Sequence, residues 1–487
     1  MSRDLQYERE LIHRLNTVVV NGVPAALHTP IEGVSVWHTF QQFFLDSDVK
    51  LFARTRSFDA YHKEVQKLSR FRFRRGLSAL MLLVLQLIGT VALLIGRPKV
   101  LVFGADKVSD TAFQSDFRMH GLYQFLHSQG ISFFECFHII PGKQVISNFL
   151  KRKRFALYLE AFDVLWYAYR FCTQPFSPGT HYTMGTIEGT EDEVAFIRFT
   201  VKKYLAIQPL IAFRIRSLAF ILKYSAIRSA LLIDDVRHYH ALTEACRILG
   251  IPTFAFQHGH YTKYHIGWLR SPDFGSLRYM RADYLLVWSE YWKNELIRLG
   301  SIYPSESVLI TGRDHSNTVS FGARDNHHRI VLVPHESESV KSDVLAFITE
   351  AVLNSESQVY LKLRPDMSKE EQLATYGANL PASVRVIDSL SDMPEPDVVA
   401  GVYSSFLYDM IERKIPVLVI YGAMDFGEGI VQNELGEWVK PGSVSESIER
   451  MAGMTENEKE VRMKKLVSEV HFNSALRSIL GRVLLER

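Results

Sequence analysis

The stretch ALLIDDVRHYHALTEACRILGIPTFAFQHGH, residues 230–260, decides the fold. It opens with an apolar run at 230–233, which is followed by Asp234 and Asp235. A helical segment at 238–249 stops at Gly250, and a second apolar run at 251–256 leads into Gln257 and His258. Two apolar strands joined by a helix form the parallel βαβ unit. The sequence therefore predicts an α/β fold built on a parallel sheet.

The same alternation continues on both sides of this stretch. Further strands are predicted for the first half at 100–103, 131–137, 283–288 and 308–311, and for the second half at 330–333, 358–363, 384–387, 398–402 and 417–421. The polar residues between the halves show no strand pattern and predict a linker. We therefore predict an N-terminal extension (1–97), a Rossmann-like domain (98–312), a linker (313–328) and a second Rossmann-like domain with a helical tail (329–487).

Length and composition limit the function classes. A chain of 487 residues suits two or three domains. Its 56 basic and 53 acidic residues give a net charge of +3, too balanced for bulk nucleic-acid binding. The three cysteines are far apart without metal spacing, which favours buried reduced thiols and fits a reducing cytoplasm.

One apolar segment, ALMLLVLQLIGTVALLIG at 79–96, carries no charge and is flanked by basic residues. Its length is near the lower limit for crossing a bilayer. A helix that is buried or lies at an interface, a single transmembrane span and a partner-protein surface all remain open. The start of the chain is charged and lacks a signal-peptide pattern. We expect a cytoplasmic chain, peripheral to the inner face of a membrane, that docks on it without necessarily crossing it.

The candidate catalytic carboxylates are Asp234 and Asp235, which follow a predicted strand. A carboxylate at a strand end suits a general base that takes a proton from a hydroxyl. Asp is also a good helix N-cap, and the two alternatives are balanced. His238 and His240 follow closely, but no further ligands stand at suitable spacing, so no metal site is predicted.

The next strand end carries Gln257, His258 and Gly259. His258 suits contact with a phosphate or sugar, or acid–base work, although a structural loop histidine is the alternative. Glycine at 259 permits a tight turn and close approach of a ligand. Lys263 and His265 add positive character, so these residues are predicted to line an acceptor cleft together with Gln257.

Two strand ends of the second half carry cations and a histidine. Lys362, Arg364 and Pro365 end one predicted strand, and His335 ends the strand before it. Two cations beside a fixed turn suit a nucleotide phosphate or a carboxylate. A solvated strand end is the alternative.

The segment GVYSSFLYD, residues 401–409, is a predicted strand that enters a helix through Ser404 and Ser405. Backbone NH groups at such a start can bind an anion, and Asp409 is placed to accept from a ribose hydroxyl. An ordinary serine N-cap is the alternative. Neither a Walker-type GxxxxGK[ST] nor a GxGxxG follows any predicted strand, so an ATPase or a nicotinamide enzyme lacks its usual support.

Several of these stretches together resemble bacterial surface-polysaccharide glycosyltransferases, including capsule enzymes that transfer Kdo and sialyltransferase-like enzymes. The stretches are GVSVWHTFQQFF, the segment ending in QHG, VLITGRDHSN, KLRPD and GVYSSFLYDMIERKIPVLVI. The resemblance implies a GT-B fold, in which two Rossmann-like domains face a cleft. It implies metal-independent, cofactor-free transfer from a nucleotide sugar held by the second domain to a glycan or lipid-linked acceptor.

By that resemblance Asp234 or Asp235 stands at the general-base position, and Lys362, Ser404 and Ser405 hold the nucleotide. Two departures occur: Arg364 replaces a histidine, and Asp409 replaces a glutamate. Arginine binds phosphate but does not act as an acid at neutral pH. A polyglycerol-phosphate-type phosphotransferase, a sugar epimerase and a non-catalytic scaffold of a polysaccharide assembly complex therefore remain alternatives.

Overall fold

The computed structural model describes most of the chain. The described residues are 3–28, 31, 33–44, 48–70, 76–108, 112–139, 145–173, 182–233, 239–262, 268–269, 277–314, 320–323, 328–336, 340–354, 357–364, 368–422 and 427–485.

The strands form two large parallel sheets and two short pairs. Their bounds are β1 Val19–Val20, β2 Val23–Pro24, β3 Val34–Ser35, β4 Val100–Ala105, β5 Phe133–His138, β6 Ala156–Tyr158, β7 Ser229–Leu232, β8 Thr253–Phe256, β9 Arg278–Tyr279, β10 Tyr284–Val287, β11 Val308–Ile310, β12 Arg329–Pro334, β13 Ser357–Lys362, β14 Arg385–Ile387, β15 Val398–Gly401, β16 Val417–Ile420 and β17 Glu437–Val439.

The helices cover both faces of these sheets. Their bounds are α1 Arg3–Thr17, α2 Val36–Phe44, α3 Lys50–Thr55, α4 Phe58–Arg70, α5 Gly76–Gly96, α6 His120–Ser128, α7 Val145–Arg152, α8 Leu159–Thr173, α9 Glu191–Lys223, α10 His240–Ile248, α11 Glu290–Arg298, α12 Lys341–Asn354, α13 Lys369–Tyr376, α14 Phe406–Glu412, α15 Glu428–Gln432, α16 Val444–Ala452, α17 Glu456–Leu466 and α18 Phe472–Leu485.

The first sheet has seven strands in the order β11-β10-β8-β7-β4-β5-β6, and the second has six in the order β14-β13-β12-β15-β16-β17. In each sheet the strand order reverses once, between β4 and β7 and between β12 and β15. This is the doubly wound arrangement, in which ligands bind beyond the carboxyl ends of the strands near the reversal. The predicted class of two Rossmann-like α/β units is therefore confirmed.

Residue patterns explain why these strands are internal. All six residues of β4 are buried, as expected for a parallel strand covered by helices on both faces. In β12 the side chains alternate between two apolar clusters: Ile330 and Leu332 join the core shared with the first sheet, while Val331 and Val333 join a second core. The period of two places a separate helical layer against each face.

The aromatic-rich residues 150–172 do not form one continuous helix. The chain leaves α7 at Arg152, forms the short edge strand β6, and only then enters α8. A strand of three residues inside an aromatic-rich run has no period of its own to reveal it.

The two halves are joined by more than the linker. Gly322, within the predicted linker, donates its backbone N–H to the Met393 carbonyl at 2.8 Å. Helix α18, which belongs to the predicted tail of the second domain, packs through Leu476 and Leu480 into the core that the two sheets share. A Cβ on Gly312 would meet the Val470 carbonyl oxygen at 2.0 Å, so the chain leading into α18 lies directly against the end of the first domain.

Candidate functional site

The carboxyl ends of β7, β8 and β10 form what we call the first edge. Asp234 and Asp235 follow β7 directly, but they lie outside the described residues, as do Lys263, His265 and Pro365. Their roles stay predictions.

The Gln257–His260 turn shows which of its members face outward. Gln257 is buried: its Nε2 donates to the Gly259 carbonyl at 2.8 Å, and its Oε1 accepts from the Trp288 backbone N–H at 3.1 Å. Gln257 therefore ties the end of β8 to the end of β10, and the prediction that it lines the cleft needs correction, because both ends of its amide are used internally. His258 is exposed.

Gly259 adopts no left-handed conformation, and a Cβ built there would meet no atom of the described residues within 4 Å. The folded chain therefore does not demand a glycine at this position. What the position offers is open space beside the backbone, which suits close approach of a ligand.

A buried histidine pair lies behind the first edge. The His38 and His240 rings stack at 6.3 Å, and Thr39 Oγ1 lies 2.8 Å from His240 Nδ1. Burial, and then the neighbouring His38, lower the pKa of His240 well below its ordinary value, so its ring is neutral. The GVSVWHTF stretch is thus joined to the start of α10, immediately after the segment that carries Asp234 and Asp235.

A second contact fixes α10 from its other side. The Arg278 guanidinium binds both carboxylate oxygens of the buried Glu244, at 3.0 and 2.8 Å. Arg278 belongs to β9, which pairs with β3 just before His38. The elements around the predicted catalytic carboxylates are therefore held by buried polar contacts. Sequence reasoning did not predict this support, because its members are far apart along the chain.

The carboxyl ends of β12, β13 and β15 form the second edge, and its central residue is Glu336. The carboxylate oxygen Oε1 of Glu336 accepts three backbone N–H groups, from Val402 at 3.0 Å, from Tyr403 at 3.2 Å and from Ser404 at 3.2 Å. Burial raises the pKa of Glu336 to about 7, although these three donors act to lower it. Glu336 thus changes its charge near neutral pH.

This contact corrects the prediction of an open anion site at the turn before α14. The backbone donors there already bind a carboxylate of the chain itself. The Ser404 hydroxyl oxygen accepts from the Phe406 N–H at 3.3 Å, while the N-cap residue of α14, Ser405, makes no side-chain cap bond. For Ser405 the structure shows backbone contacts, with its carbonyl accepting from the Tyr408 N–H at 3.1 Å.

The two cations at the end of β13, Lys362 and Arg364, lie in different environments. Lys362 Nζ donates to the Leu363 carbonyl at 2.9 Å and lies 5.9 Å from the Phe406 ring, and burial lowers the pKa of its ammonium group. Arg364 has an exposed side chain, while its backbone is held on both sides by Gln372, at 2.7 and 2.9 Å. The guanidinium is therefore carried by a rigid backbone at the strand end.

His335 is buried and packs edge-on against the Tyr376 ring at 5.5 Å. The Tyr376 hydroxyl oxygen in turn accepts from the Glu336 N–H at 3.3 Å. His335 is thus packed against the last residue of α13, and its predicted place in the nucleotide site stays a prediction.

The two edges meet along a seam. The rings of His260, in the first-edge turn, and Tyr408, on α14, lie 5.8 Å apart. Arg313, just after β11, binds Asp409 at 2.6 Å and Glu412 at 3.0 Å, and its guanidinium lies 4.4 Å from the Trp288 ring. Asp409, predicted to accept from a ribose hydroxyl, is instead part of this seam. The bridging role of Arg313 was not predicted, because its two partners lie about one hundred residues further along the chain.

Comparisons with known proteins add only weak similarities. No family model matches the chain, and no curated protein matches it. Three similar solved structures illustrate the level of likeness. CalG4, the calicheamicin glycosyltransferase, has a TM-score of 0.47 and 12% identity, covering 80% of this chain and 98% of its own. The glycosyltransferase VinC in complex with dTDP has a TM-score of 0.48 and 15% identity, with 80% and 100% covered.

The third structure is the UDP-GlcNAc 2-epimerase from Neisseria meningitidis bound to UDP-GlcNAc. Its TM-score is 0.44 and its identity 15%, and 80% of this chain and 100% of the epimerase are covered. Because these values are low, nothing about the activity of this chain follows from them. Its class is set by its own two doubly wound sheets.

Proposed function

We propose that the chain transfers a sugar from a nucleotide-activated donor to a hydroxyl group of a glycan or lipid-linked acceptor, with inversion and without a metal. The observation that supports this most is the His260–Tyr408 contact. It brings the turn predicted for the acceptor beside α14, which follows the turn predicted for the donor. Two parallel sheets whose carboxyl edges meet offer a site for two substrates between them.

On the donor side, the exposed Arg364 is the group placed to bind a phosphate. A guanidinium forms charge-assisted, bidentate bonds to phosphate oxygens. In the proposed reaction it stabilises the negative charge that develops on the leaving phosphate. Lys362, whose ammonium group is half-buried next to the same strand end, adds a second cation.

On the acceptor side, Asp234 or Asp235 takes the proton of the attacking hydroxyl. The hydroxyl oxygen bonds to the anomeric carbon of the donor sugar as the bond to the phosphate breaks. The buried contacts around α10 hold the elements that flank these two residues.

The test begins with nucleotide binding. Thermal unfolding is measured with CMP, UDP, GDP and CDP, and we expect one of them to raise the midpoint. Arg364→Ala should weaken that nucleotide roughly tenfold or more, the loss expected for a charged hydrogen bond. Arg450→Ala is the matched control, because Arg450 is an exposed arginine of the same half that binds Glu437 at 3.0 Å.

The second stage follows the matching nucleotide sugar with and without an acceptor glycan. Acceptor-dependent release of the nucleotide supports transfer. Isomerisation of the sugar without any acceptor would instead make the chain an epimerase. Transfer of a phosphate-bearing group would point to a phosphotransferase, and binding of no nucleotide at all would favour a non-catalytic scaffold.

A further inference from the structure

Helix α5 has two opposite faces of different character. Leu82, Gln86 and Leu93 are buried, and they follow one another at the spacing of a single helix face. Leu80, Val84, Leu87, Val91 and Ile95 form a parallel stripe on the other side, and each is exposed. An exposed apolar stripe running the length of a 21-residue helix is far larger than the scattered apolar residues of ordinary surfaces.

The buried face fastens α5 to the edge of the first sheet. Gln86 Oε1 accepts the backbone N–H of Tyr158 in β6 at 2.7 Å. A Cβ on Gly89 would lie 2.1 Å from the Ala156 carbonyl oxygen, so the helix and the strand touch backbone to backbone. The helix therefore covers an edge strand whose polar groups would otherwise be free to pair.

The apolar face continues beyond α5. Helix α8 packs against α5, and its last turns expose Tyr167, Tyr169 and Phe171. Val145 of α7 packs on the same small core as Leu82 and Ala161. Tyrosine and phenylalanine beside an aliphatic stripe are the residues that favour the boundary between lipid headgroups and acyl chains.

The charges around this face are of one sign. Helices α5 and α7 contain no acidic residue, and the two on α8 are engaged. Glu160 lies 2.7 Å from the His138 ring and accepts the Ile139 N–H at 3.0 Å, while Asp163 is bound by Arg214. Arg97, Lys151 and Arg170 are exposed at its margins. Such a margin complements an anionic surface.

We propose that the exposed face of α5 and the end of α8 dock this chain on an anionic lipid bilayer, with α5 lying in the membrane plane. The helix does not cross the bilayer, because its other face carries the edge of the seven-stranded sheet, whose polar groups would be costly in hydrocarbon. Helix α9 is also long and apolar enough to span, but its share of buried residues is larger. The docking is independent of the proposed reaction.

The test is co-sedimentation of the full chain with vesicles of phosphatidylcholine alone and of phosphatidylcholine mixed with phosphatidylglycerol. We expect binding to the anionic vesicles that weakens at high salt. The double variant Leu87→Glu and Ile95→Glu changes side chains that are 66% and 77% exposed, so it should fold, and its binding should fall roughly tenfold or more. Leu353→Glu, 74% exposed on α12, is the matched control and should bind as the wild type does.

Cys172 supplies an independent measurement. It is exposed at the end of α8, whereas Cys136 and Cys246 are buried, so a thiol-reactive, environment-sensitive fluorophore labels it selectively. We expect its emission to shift to the blue on anionic vesicles, and the bound protein to be released by high salt.

Three results would overturn the proposal. One is equal vesicle binding by the double variant and the wild type. Another is wild-type protein that salt cannot release and that proteases reach from both sides of the membrane, which indicates a span. The third is a wild-type dimer that ignores vesicles and becomes monomeric in the double variant, which assigns the face to a second copy of the chain. Loss of glycosyl transfer with normal vesicle binding would contradict only the proposed reaction.

Discussion

The two edges occupy the same place in their sheets, but they differ in how their backbone and side-chain groups are bound. At the first edge, Gln257 braces the turn from behind, so that His258 is exposed and the space beside Gly259 is open. At the second edge, the backbone donors of Val402, Tyr403 and Ser404 are already bound by Glu336. The turn at the first edge therefore carries an exposed histidine, whereas the backbone donors at the second edge are bound by a carboxylate of the chain itself.

This difference shows that a strand end with free-looking backbone donors is not by itself a phosphate site. If a donor phosphate uses the Val402–Ser404 donors, it must displace Glu336. Because its pKa is about 7, Glu336 carries a proton for part of the time at neutral pH. A protonated carboxyl binds backbone N–H groups less strongly than a carboxylate, so a phosphate displaces it more easily. Arg364 contributes no backbone donor to this contact, but its positive charge acts to lower the pKa of Glu336. It stays the residue that we propose binds the donor phosphate.

The largest expected effect tests the first edge. Asp234→Asn and Asp235→Asn each remove a candidate base, and the one that removes the true base should lower the rate of transfer by about 10²- to 10⁴-fold. Nucleotide binding should be unchanged in both, because the donor is proposed to bind at the other edge. Steady-state transfer rates and thermal unfolding measure the two properties.

Asp59→Asn is the control for those variants, because Asp59 is exposed on α4. Wild-type rates in both Asp234→Asn and Asp235→Asn would show that neither aspartate at the first edge is the general base.

The second effect tests the charge at the other edge. Burial raises the pKa of Glu336 from 4.5 to about 7, so between these values the folded chain keeps a proton that the unfolded chain releases. The stabilisation is complete below the ordinary pKa and is lost as the pH rises through about 7. Relative to Glu336→Gln, the wild type should lose about 2 kcal/mol of unfolding free energy between pH 5 and pH 7.5.

Urea unfolding of both proteins at the two pH values measures this difference. If the unfolding free energies of wild type and variant changed equally between the two pH values, the pKa of Glu336 would not be raised in the folded chain. The backbone donors of the second edge would then be bound by an ordinary carboxylate.

The third effect concerns the seam that joins the edges. Arg313→Met leaves Asp409 and Glu412 without the cation that binds them at 2.6 and 3.0 Å. Because the Arg313 and Asp409 side chains are partly exposed, we expect a loss of about 1 to 2 kcal/mol, less than for a fully buried pair. Arg313→Lys keeps the charge and should lose less. Equal unfolding free energies for all three proteins would show that the seam does not depend on this cation.

The smallest effect compares one glycine from each edge. A Cβ on Gly401 would meet Glu336 Oε1 at 3.0 Å and Leu407 Cδ2 at 3.1 Å, so Gly401→Ala should cost about 1 kcal/mol through overpacking. Gly259→Ala has open space and should change stability by less than about 0.5 kcal/mol. If Gly259→Ala lowered the unfolding free energy more than Gly401→Ala does, the surroundings of Gly259 would be the more tightly packed of the two.

Much of the fold was predictable because parallel strands are buried on both faces and appear as short apolar runs. Residues 100–103, 230–233 and 417–421 each mark a strand, and Gly250 lies just beyond the end of α10, the helix that follows the second of them. The edge strand β6 was not predicted, because three residues show no periodicity. The Gln86 side chain that binds its Tyr158 N–H lies in α5, far from β6 along the chain.

The candidate site was predictable only as a set of strand ends. Position at a strand end fixes where a residue lies but not which way its side chain is used. Gln257 and His335 are both buried, with contacts to Trp288 and Tyr376 that no strand pattern indicates, and the contacts of Glu336 depend on a turn far along the chain. Contacts between distant segments have no local pattern that a single sequence can show.

The packing of α18 has a consequence for synthesis. Phe472 lies 6.2 Å from the Phe256 ring at the end of β8, and Leu476 and Leu480 are buried in the same core. Since residues 472–485 leave the ribosome after every strand of both sheets, part of this shared core, including the Phe256 ring, stays uncovered until α18 has been synthesised. A ribosome that stalls within the second half would therefore leave the first half incompletely folded, and its nascent chain would be a substrate for chaperones.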